Sequence, residues 1–170
     1  MGFLPTSMMT MAHWPELTQA FGGLGATILN SGELDPGLKQ MIAFAVSNAA
    51  GCRYCQAHTA QSAQKNSVSA EKVQAVFEFE SSDLFSDREK AAVRVAVHAG
   101  MVPNGVQAEH MTALSHHFSE KQAVEVVAVI SLFGFLNRWN DTMATTLESA
   151  PKHFAADQLA SHGWVAGKHE

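Results

Sequence analysis

Apolar residues recur at helical spacing along almost the whole chain, and no segment shows the strict alternation of a half-buried strand. One such stripe covers residues 38–46, and it follows Asp35 and Pro36. An aspartate followed by a proline is typical of an N-cap and a first helical residue. Capping boxes that pair a serine with a Glu or Gln three residues later begin at Ser86 and Ser119. The sequence therefore predicts an all-α fold.

The predicted helices number about six to seven and form one domain over residues 1–170. In the first helix, Pro15 and the pair Gly22–Gly23 are expected breaks. The domain core is expected to cover about residues 10–148, and the polar C-terminal tail, 149–170, is expected to pack on a partner or to stay mobile. The predicted helical segments are 10–30, 36–50, 52–66, 69–77, 86–100, 106–117 and 119–147.

Composition argues against several classes of function. The formal net charge is −5 and no basic stripe is present, which argues against nucleic acid as a main partner. The most apolar segment, 124–136, is shorter than the roughly 20 residues that cross a membrane, so no membrane association is predicted. The N-terminus has no cationic start or unbroken apolar run of a signal peptide. A cytoplasmic protein is predicted.

The stretch AVISLFGFL within that segment is apolar nearly all round. Such a helix needs a covering on every side, and a small helical unit does not easily provide it alone. The sequence therefore predicts a homo-oligomer.

The stretch GCRYCQAHT contains both cysteines of the chain, Cys52 and Cys55, and then His58. Haem attachment of the c type needs a histidine directly after the second cysteine, where Gln56 stands. A structural disulfide across so short a loop would stabilise the fold little. Zinc is a weaker alternative. On one helix, Cys52, Cys55 and His58 would spread over a third of the circumference, and no second cysteine pair completes a four-ligand site. The pair His116–His117 could in principle reach over.

Redox chemistry fits the pair best. A cysteine at a helix N-terminus lies beside unpaired backbone N–H groups, which stabilise its thiolate. A second thiol one turn further along can then close a disulfide with it. His58 lies one turn beyond Cys55 on the same face, within reach as a base or as a charged partner.

Three quoted stretches carry a family resemblance: LDPGLKQMIAFAVSNAAGCRYCQAHTAQSAQKN, LFSDREKAAVRVAVHAG and FSEKQAVEVVAVISLFGFLNRWNDTM. Together they resemble the AhpD-like, carboxymuconolactone decarboxylase family, in its peroxidase-related branch with a Cys-x-x-Cys motif. The resemblance covers roughly residues 10–148. It implies an AhpD-like helical domain that forms dimers, trimers or hexamers.

The resemblance also implies a thiol peroxidase without cofactor or metal, with peroxiredoxin-like antioxidant activity. A thiolate attacks a hydroperoxide, becomes a sulfenic acid and is resolved by its neighbour. In family members the second cysteine usually attacks, which points to Cys55, with Cys52 resolving. The helix-terminus argument favours Cys52 instead. A dithiol or disulfide reductant protein is the implied partner.

The sequence departs from the family pattern at three positions. The glutamate expected twelve residues before the first cysteine is Gln40, the usual histidine four residues after the second cysteine is Thr59, and the residue before that cysteine is Tyr54. Gln40 cannot transfer a proton, so slow hydroperoxide reduction is predicted, with a gain of at least about tenfold in Gln40→Glu. Together with Gln40, Asn48 is a candidate pocket residue.

Two other functions stay open. A carboxymuconolactone decarboxylase-type lyase shares the fold, although members with that activity generally lack the cysteine pair. A non-catalytic binding protein could use the same pair to sense redox state.

Overall fold

The structure is a computed structural model that describes residues 4–170. The described residues form nine α-helices and no strand, so the all-α prediction is confirmed, and the predicted count of six to seven is too low. The helices are α1 (Thr6–Met11), α2 (Pro15–Asn30), α3 (Pro36–Ala49), α4 (Arg53–Lys65), α5 (Ala70–Gln74), α6 (Asp87–Gly100), α7 (Ala108–Ser115), α8 (Glu120–Met143) and α9 (Ser149–Leu159). Short 3₁₀ segments follow α5 and α9, and another covers Gly167–His169.

The helices begin where the capping signals predict. The Asp35 carboxylate accepts a hydrogen bond from the Leu38 N–H at 3.1 Å. Complete capping boxes open α6 at Ser86 and α8 at Ser119. The expected break at Pro15 separates α1 from α2, whereas the Gly22–Gly23 pair lies inside an uninterrupted α2. Local capping chemistry therefore sets the starts of α3, α6 and α8.

Helix α3 is the centre of the core. Its residues from Met41 to Ser47 are all buried, because α4, α6 and α8 pack around it. Ile42 and Phe44 are completely inaccessible to solvent. A helix covered on this many sides is rigid, and it precedes the cysteine pair directly, so the pair lies on a fixed base.

The C-terminal segment, expected as a tail that packs on a partner or stays mobile, packs against the rest of the chain in the structure. Helix α9 packs against α4 and α5, and its buried residues, Pro151, Ala155 and Leu159, recur at helical spacing. The Trp164 indole then donates a hydrogen bond to the Arg53 carbonyl at 3.3 Å. The stripe in α9 is short and lies among polar residues, which is why its apolar signal is weak in the sequence.

Helix α8 leaves part of its apolar surface open. Val124, Val127 and Phe135 are exposed, whereas Val126 and Val129 on the same helix are buried. Among the described residues, no helix combines the length and apolarity that a membrane crossing requires.

Candidate active site

Cys52 and Cys55 lie at the start of α4. A turn with Gly51 at φ +77° joins α3 to Cys52, which is the N-cap residue of α4. The Cys52 sulfur accepts a hydrogen bond from the Cys55 N–H at 3.4 Å. Both cysteines are buried and free. The pair therefore lies at a helix N-terminus, as the sequence predicts.

The two thiols have different proton affinities. The Cys55 thiol, as a hydrogen-bond donor to Cys52, lowers the pKa of Cys52 and outweighs the opposite effect of burial. Burial raises the pKa of Cys55 well above its ordinary value, and the neighbouring Cys52 raises it further. In the reduced protein, Cys52 is therefore the readier thiolate, and the proton stays on Cys55.

Cys55 lines a partly open cavity of about 150 Å³ between α1, α2, α4 and α8. The cavity also brings together four residues singled out from the sequence: Gln40, Tyr54, His58 and Thr59. Asn48 is not among its lining residues. The remaining wall is largely apolar and includes Phe21, Leu29, Leu132, Phe133 and Leu136. A cavity of about 150 Å³ with apolar walls can hold a benzene-sized ligand.

Asn140 contacts the second cysteine directly. Its side-chain amide donates a hydrogen bond to the Cys55 sulfur at 3.4 Å, and this contact lowers the pKa of Cys55 against the larger effect of burial. Asn140 also lines the cavity. It therefore supports a thiolate on Cys55 when one forms.

Glu148 brings a carboxylate to the site from the N-cap position of α9. Its Oε2 lies 2.6 Å from Nε2 of His58, and its Oε1 accepts a hydrogen bond from the Tyr54 hydroxyl at 2.9 Å. The Thr6 N–H also donates to Oε1. Glu148 is therefore a carboxylate at the site that the sequence analysis did not identify, and the slow reduction predicted from Gln40 remains a prediction.

The charge of Glu148 is stabilised by these donors. Burial alone raises the pKa of its carboxyl, but the hydrogen bonds from His58 and Thr6 outweigh burial and lower the pKa to about 2. An ionised carboxylate only accepts hydrogen bonds, so His58 carries its proton on Nε2.

Tyr54 and Thr59 have supporting positions. The Tyr54 ring stacks on the His58 ring at a centroid distance of 4.4 Å, and burial raises the pKa of its hydroxyl, so Tyr54 stays a hydrogen-bond donor. The Thr59 hydroxyl donates to the Cys55 carbonyl at 2.7 Å. Both side chains therefore orient the site without titrating near neutral pH.

The hypothesis that His116 and His117 could reach over to complete a zinc site is wrong. His116 is the C-cap residue of α7, and both histidines are exposed on the surface. His58, the third residue of that hypothetical site, faces Glu148.

The site combines a buried Cys-x-x-Cys pair at the start of a helix with a His–Glu pair and an apolar cavity, all in an all-helical domain. This combination agrees with the family resemblance seen in the sequence. The chain belongs to the carboxymuconolactone decarboxylase family, whose family model matches residues 15–98, and it has the AhpD-like fold. The resemblance stated from the sequence is confirmed.

Solved relatives extend this similarity over most of the chain. The apo debrominase Bmp8 has a TM-score of 0.87 and 39% identity, covering 92% of this chain and 84% of Bmp8. A cysteine-to-alanine variant of Bmp8 in complex with 2,3,4-tribromopyrrole matches at a TM-score of 0.87 and 38% identity, covering 92% of this chain and 83% of the other. The alkylhydroperoxidase AhpD core of a peroxidase-related protein from Ralstonia eutropha JMP134 matches at a TM-score of 0.69 and 26% identity. The match covers 83% of this chain and 75% of the Ralstonia chain.

The curated relatives are uncharacterized proteins. YnjA of Escherichia coli (strain K12) is 29% identical over 110 residues, which cover 65% of this chain and 60% of YnjA. The chain thus matches less than two thirds of that relative's length.

Proposed function

We propose that the protein is a thiol-dependent oxidoreductase that reduces a small, largely apolar hydroperoxide through Cys52 and Cys55. The observation that carries this proposal is the largely apolar cavity of about 150 Å³ that both Cys55 and His58 line. A reactive sulfur and a base beside one bound molecule are the parts that nucleophilic catalysis needs. The similarity to peroxidase-related proteins supports the same chemistry.

In the proposed reaction the Cys55 thiolate attacks the outer oxygen of the hydroperoxide. The O–O bond breaks, the alkoxide takes a proton and leaves as an alcohol, and Cys55 becomes a sulfenic acid. The Cys52 sulfur then attacks the Cys55 sulfur and releases water. The sum is one hydroperoxide and two thiols giving one alcohol, one water and one disulfide. A dithiol or disulfide reductant protein completes the cycle by thiol–disulfide exchange.

His58 and Glu148 serve the proton transfers of this scheme. The Cys55 proton must leave before attack, and His58, which lines the same cavity, is the proposed acceptor. Glu148 orients the imidazole through Nε2 and stabilises the imidazolium that forms. The carboxylate does not need to accept the proton itself.

Reductive dehalogenation is a second candidate. It is favoured by the 39% identity to the debrominase Bmp8 over 92% of the chain and by a cavity that would hold a single aromatic ring. The stoichiometry is analogous to that of hydroperoxide reduction. Two thiols and one carbon–halogen bond give a disulfide, a carbon–hydrogen bond and a hydrogen halide. Both reactions begin with a thiolate that attacks an electrophilic atom of a bound small molecule.

The test is a single-turnover experiment on the reduced protein. One sample receives one equivalent of cumene hydroperoxide, and a second receives one equivalent of a polybrominated pyrrole. Intact mass and peptide mapping follow the Cys52–Cys55 disulfide, and alcohol or bromide release is measured in parallel. Alcohol release with the disulfide supports the peroxidase, and bromide release with the disulfide supports the dehalogenase. If neither compound yields the intramolecular disulfide, the proposal fails and a lyase or redox-sensing function stands.

The two thiols are expected to titrate in separate steps. The pKa of Cys52 lies below the ordinary 9.0, and the pKa of Cys55 lies well above it. Thiolate absorbance against pH should therefore rise twice, with Cys52→Ser removing the lower step and Cys55→Ser the upper one. A single step for both thiols near the ordinary pKa would contradict this assignment.

The exposed apolar face of α8 supports assembly into a homo-oligomer. Val124 is 68% exposed and Val127 is 42% exposed. The double change Val124→Glu and Val127→Glu should reduce the mass measured by analytical ultracentrifugation at micromolar concentration, because it places charges in an apolar interface. Val165→Glu, at a residue 65% exposed on the C-terminal segment, is the matched control and should not change the mass. A monomeric wild type would contradict the prediction.

A further inference from the structure

We propose that Cys52, Asp141 and His169 form a binding site for a divalent metal ion of the zinc class in the reduced protein. The site lies beside the Cys52 sulfur and is distinct from the cavity that Cys55 lines. It does not depend on the proposed oxidoreductase activity. The sequence predicted no metal, and His169 also lies outside the residues that the family model matches.

The three side chains converge from distant parts of the chain. One ligand atom of each, the Cys52 sulfur, a carboxylate oxygen of Asp141 and a ring nitrogen of His169, lies within 4.8 Å of the other two. They come from the N-cap of α4, the last turns of α8 and the C-terminal 3₁₀ segment. A thiolate, an imidazole and a carboxylate are the donors that zinc accepts in proteins.

His169 is held in the orientation of a metal ligand. Its Nδ1 lies 2.8 Å from the Thr145 carbonyl, which only accepts hydrogen bonds, so Nδ1 carries the proton. In the neutral ring, Nε2 then presents a lone pair. Metal-ligating histidines typically donate their other ring N–H to a carbonyl or carboxylate in this way.

The Nε2 atom of His169 has no hydrogen-bond partner among the described residues, although His169 is only 1% exposed. A buried polar atom without a partner destabilises the fold. The backbone around it is fixed, because the Leu147 N–H donates to the His169 carbonyl at 2.9 Å. A metal ion would satisfy this nitrogen.

Asp141 supplies charge and freedom of movement. One of its oxygens pairs with Lys168 at 2.8 Å, and the other lies 3.7 Å from Nε2 of His169. In a tetrahedral zinc site, ligand atoms are about 3.3–3.6 Å apart, given the usual zinc–nitrogen and zinc–sulfur bond lengths. The Asp141 side chain is half exposed, so it can rotate toward the ion and leave a fourth position for water.

Metal binding and disulfide formation exclude each other at this site. The metal takes a lone pair of the Cys52 thiolate, whereas the disulfide uses the same sulfur for a covalent bond to Cys55. We therefore expect the reduced protein to bind the ion and the disulfide form to lose it.

The experiment is a titration of the reduced full-length protein with Co²⁺, followed by displacement with Zn²⁺. A tetrahedral cobalt–thiolate complex has a charge-transfer absorption that a site made only of histidines lacks. One Co²⁺ per chain with this absorption is the expected result. Cys52→Ser should abolish the absorption, and Cys55→Ser should keep it.

Two further ligand variants test the rest of the site. His169→Ala and Asp141→Asn should each weaken Co²⁺ binding by at least about tenfold. His153→Ala, at an exposed histidine of α9, is the control and should bind as the wild type does. Because His169→Ala could also loosen the C-terminal segment, fluorescence of the buried Trp164 reports docking of that segment. Absence of the thiolate absorption, or its persistence in Cys52→Ser, overturns the proposal. Unchanged affinity in both Asp141→Asn and His169→Ala also overturns it.

Discussion

Replacing Cys55 by serine is expected to abolish hydroperoxide turnover, with a loss of at least about a thousandfold in kcat/KM. Cys55 is the cysteine that lines the cavity, so a bound substrate meets its sulfur first. A serine hydroxyl is a far weaker nucleophile at neutral pH. The measurement is the rate with cumene hydroperoxide and a dithiol reductant, with far-ultraviolet circular dichroism as the check on folding.

Cys52→Ser is the matched variant for this prediction. It should still consume about one equivalent of hydroperoxide in a single turnover, because the proposed attacking sulfur remains. It should then stop at a sulfenic acid on Cys55 and lose multiple turnover. Trapping with dimedone followed by mass spectrometry identifies the oxidised residue. The reverse pattern, in which Cys55→Ser is oxidised at Cys52 and Cys52→Ser does not react, would assign the attack to Cys52.

The proton affinities and the cavity favour different cysteines, and this conflict is chemically informative. Cys52 is the readier thiolate, but the cavity contains Cys55 among its lining residues and not Cys52. A thiolate on Cys52 is an acceptor for the Cys55 proton, and Asn140 donates to the Cys55 sulfur. Transfer of the Cys55 proton to Cys52 or to His58 would generate the attacking thiolate on Cys55. We therefore place the attack on Cys55.

Features that depend only on residues close together in the sequence could be predicted from the sequence alone. The caps at Asp35 and Ser86 define helix starts through contacts within three residues, so both could be read directly. The same holds for Cys52, Cys55 and His58, which share the start of one helix. A proline at position 15 broke the first helix as expected, because proline cannot donate the interior hydrogen bond.

The residues that sequence reasoning missed come from distant parts of the chain. Glu148 contacts His58 across 90 positions, and Asn140 contacts Cys55 across 85 positions. No spacing rule links such pairs, because their approach depends on how α8 and α9 pack on α4. The stretch FSEKQAVEVVAVISLFGFLNRWNDTM, which carries part of the family resemblance, contains Asn140 and Asp141. The stretch does not indicate the contacts that these two residues make.

Replacing Glu148 by glutamine is expected to lower kcat/KM for hydroperoxide reduction by about a hundredfold. Glutamine keeps the size and one acceptor oxygen, but it removes the charge that stabilises an imidazolium on His58. General acid–base groups contribute typically 10²–10⁴-fold. Glu78→Gln, at an exposed glutamate of the 3₁₀ segment after α5, is the control and should keep the wild-type rate. A rate within twofold of the wild type in Glu148→Gln would show that His58 works without this carboxylate.

The same variant has a pH signature that separates a charge effect from a local packing defect. The pKa of Glu148 is about 2 in the folded protein and has an ordinary value of 4.5. A carboxyl with a depressed folded pKa contributes its full stability above about pH 4.5, and this contribution declines as the pH falls toward 2. The difference in unfolding free energy between wild type and Glu148→Gln should be of the order of 2 kcal/mol at neutral pH and shrink between pH 4.5 and 2. Urea unfolding at several pH values measures it. A difference that stays constant down to pH 2 would mean that glutamine disturbs packing, whereas a shrinking difference assigns the effect to the Glu148 charge beside His58.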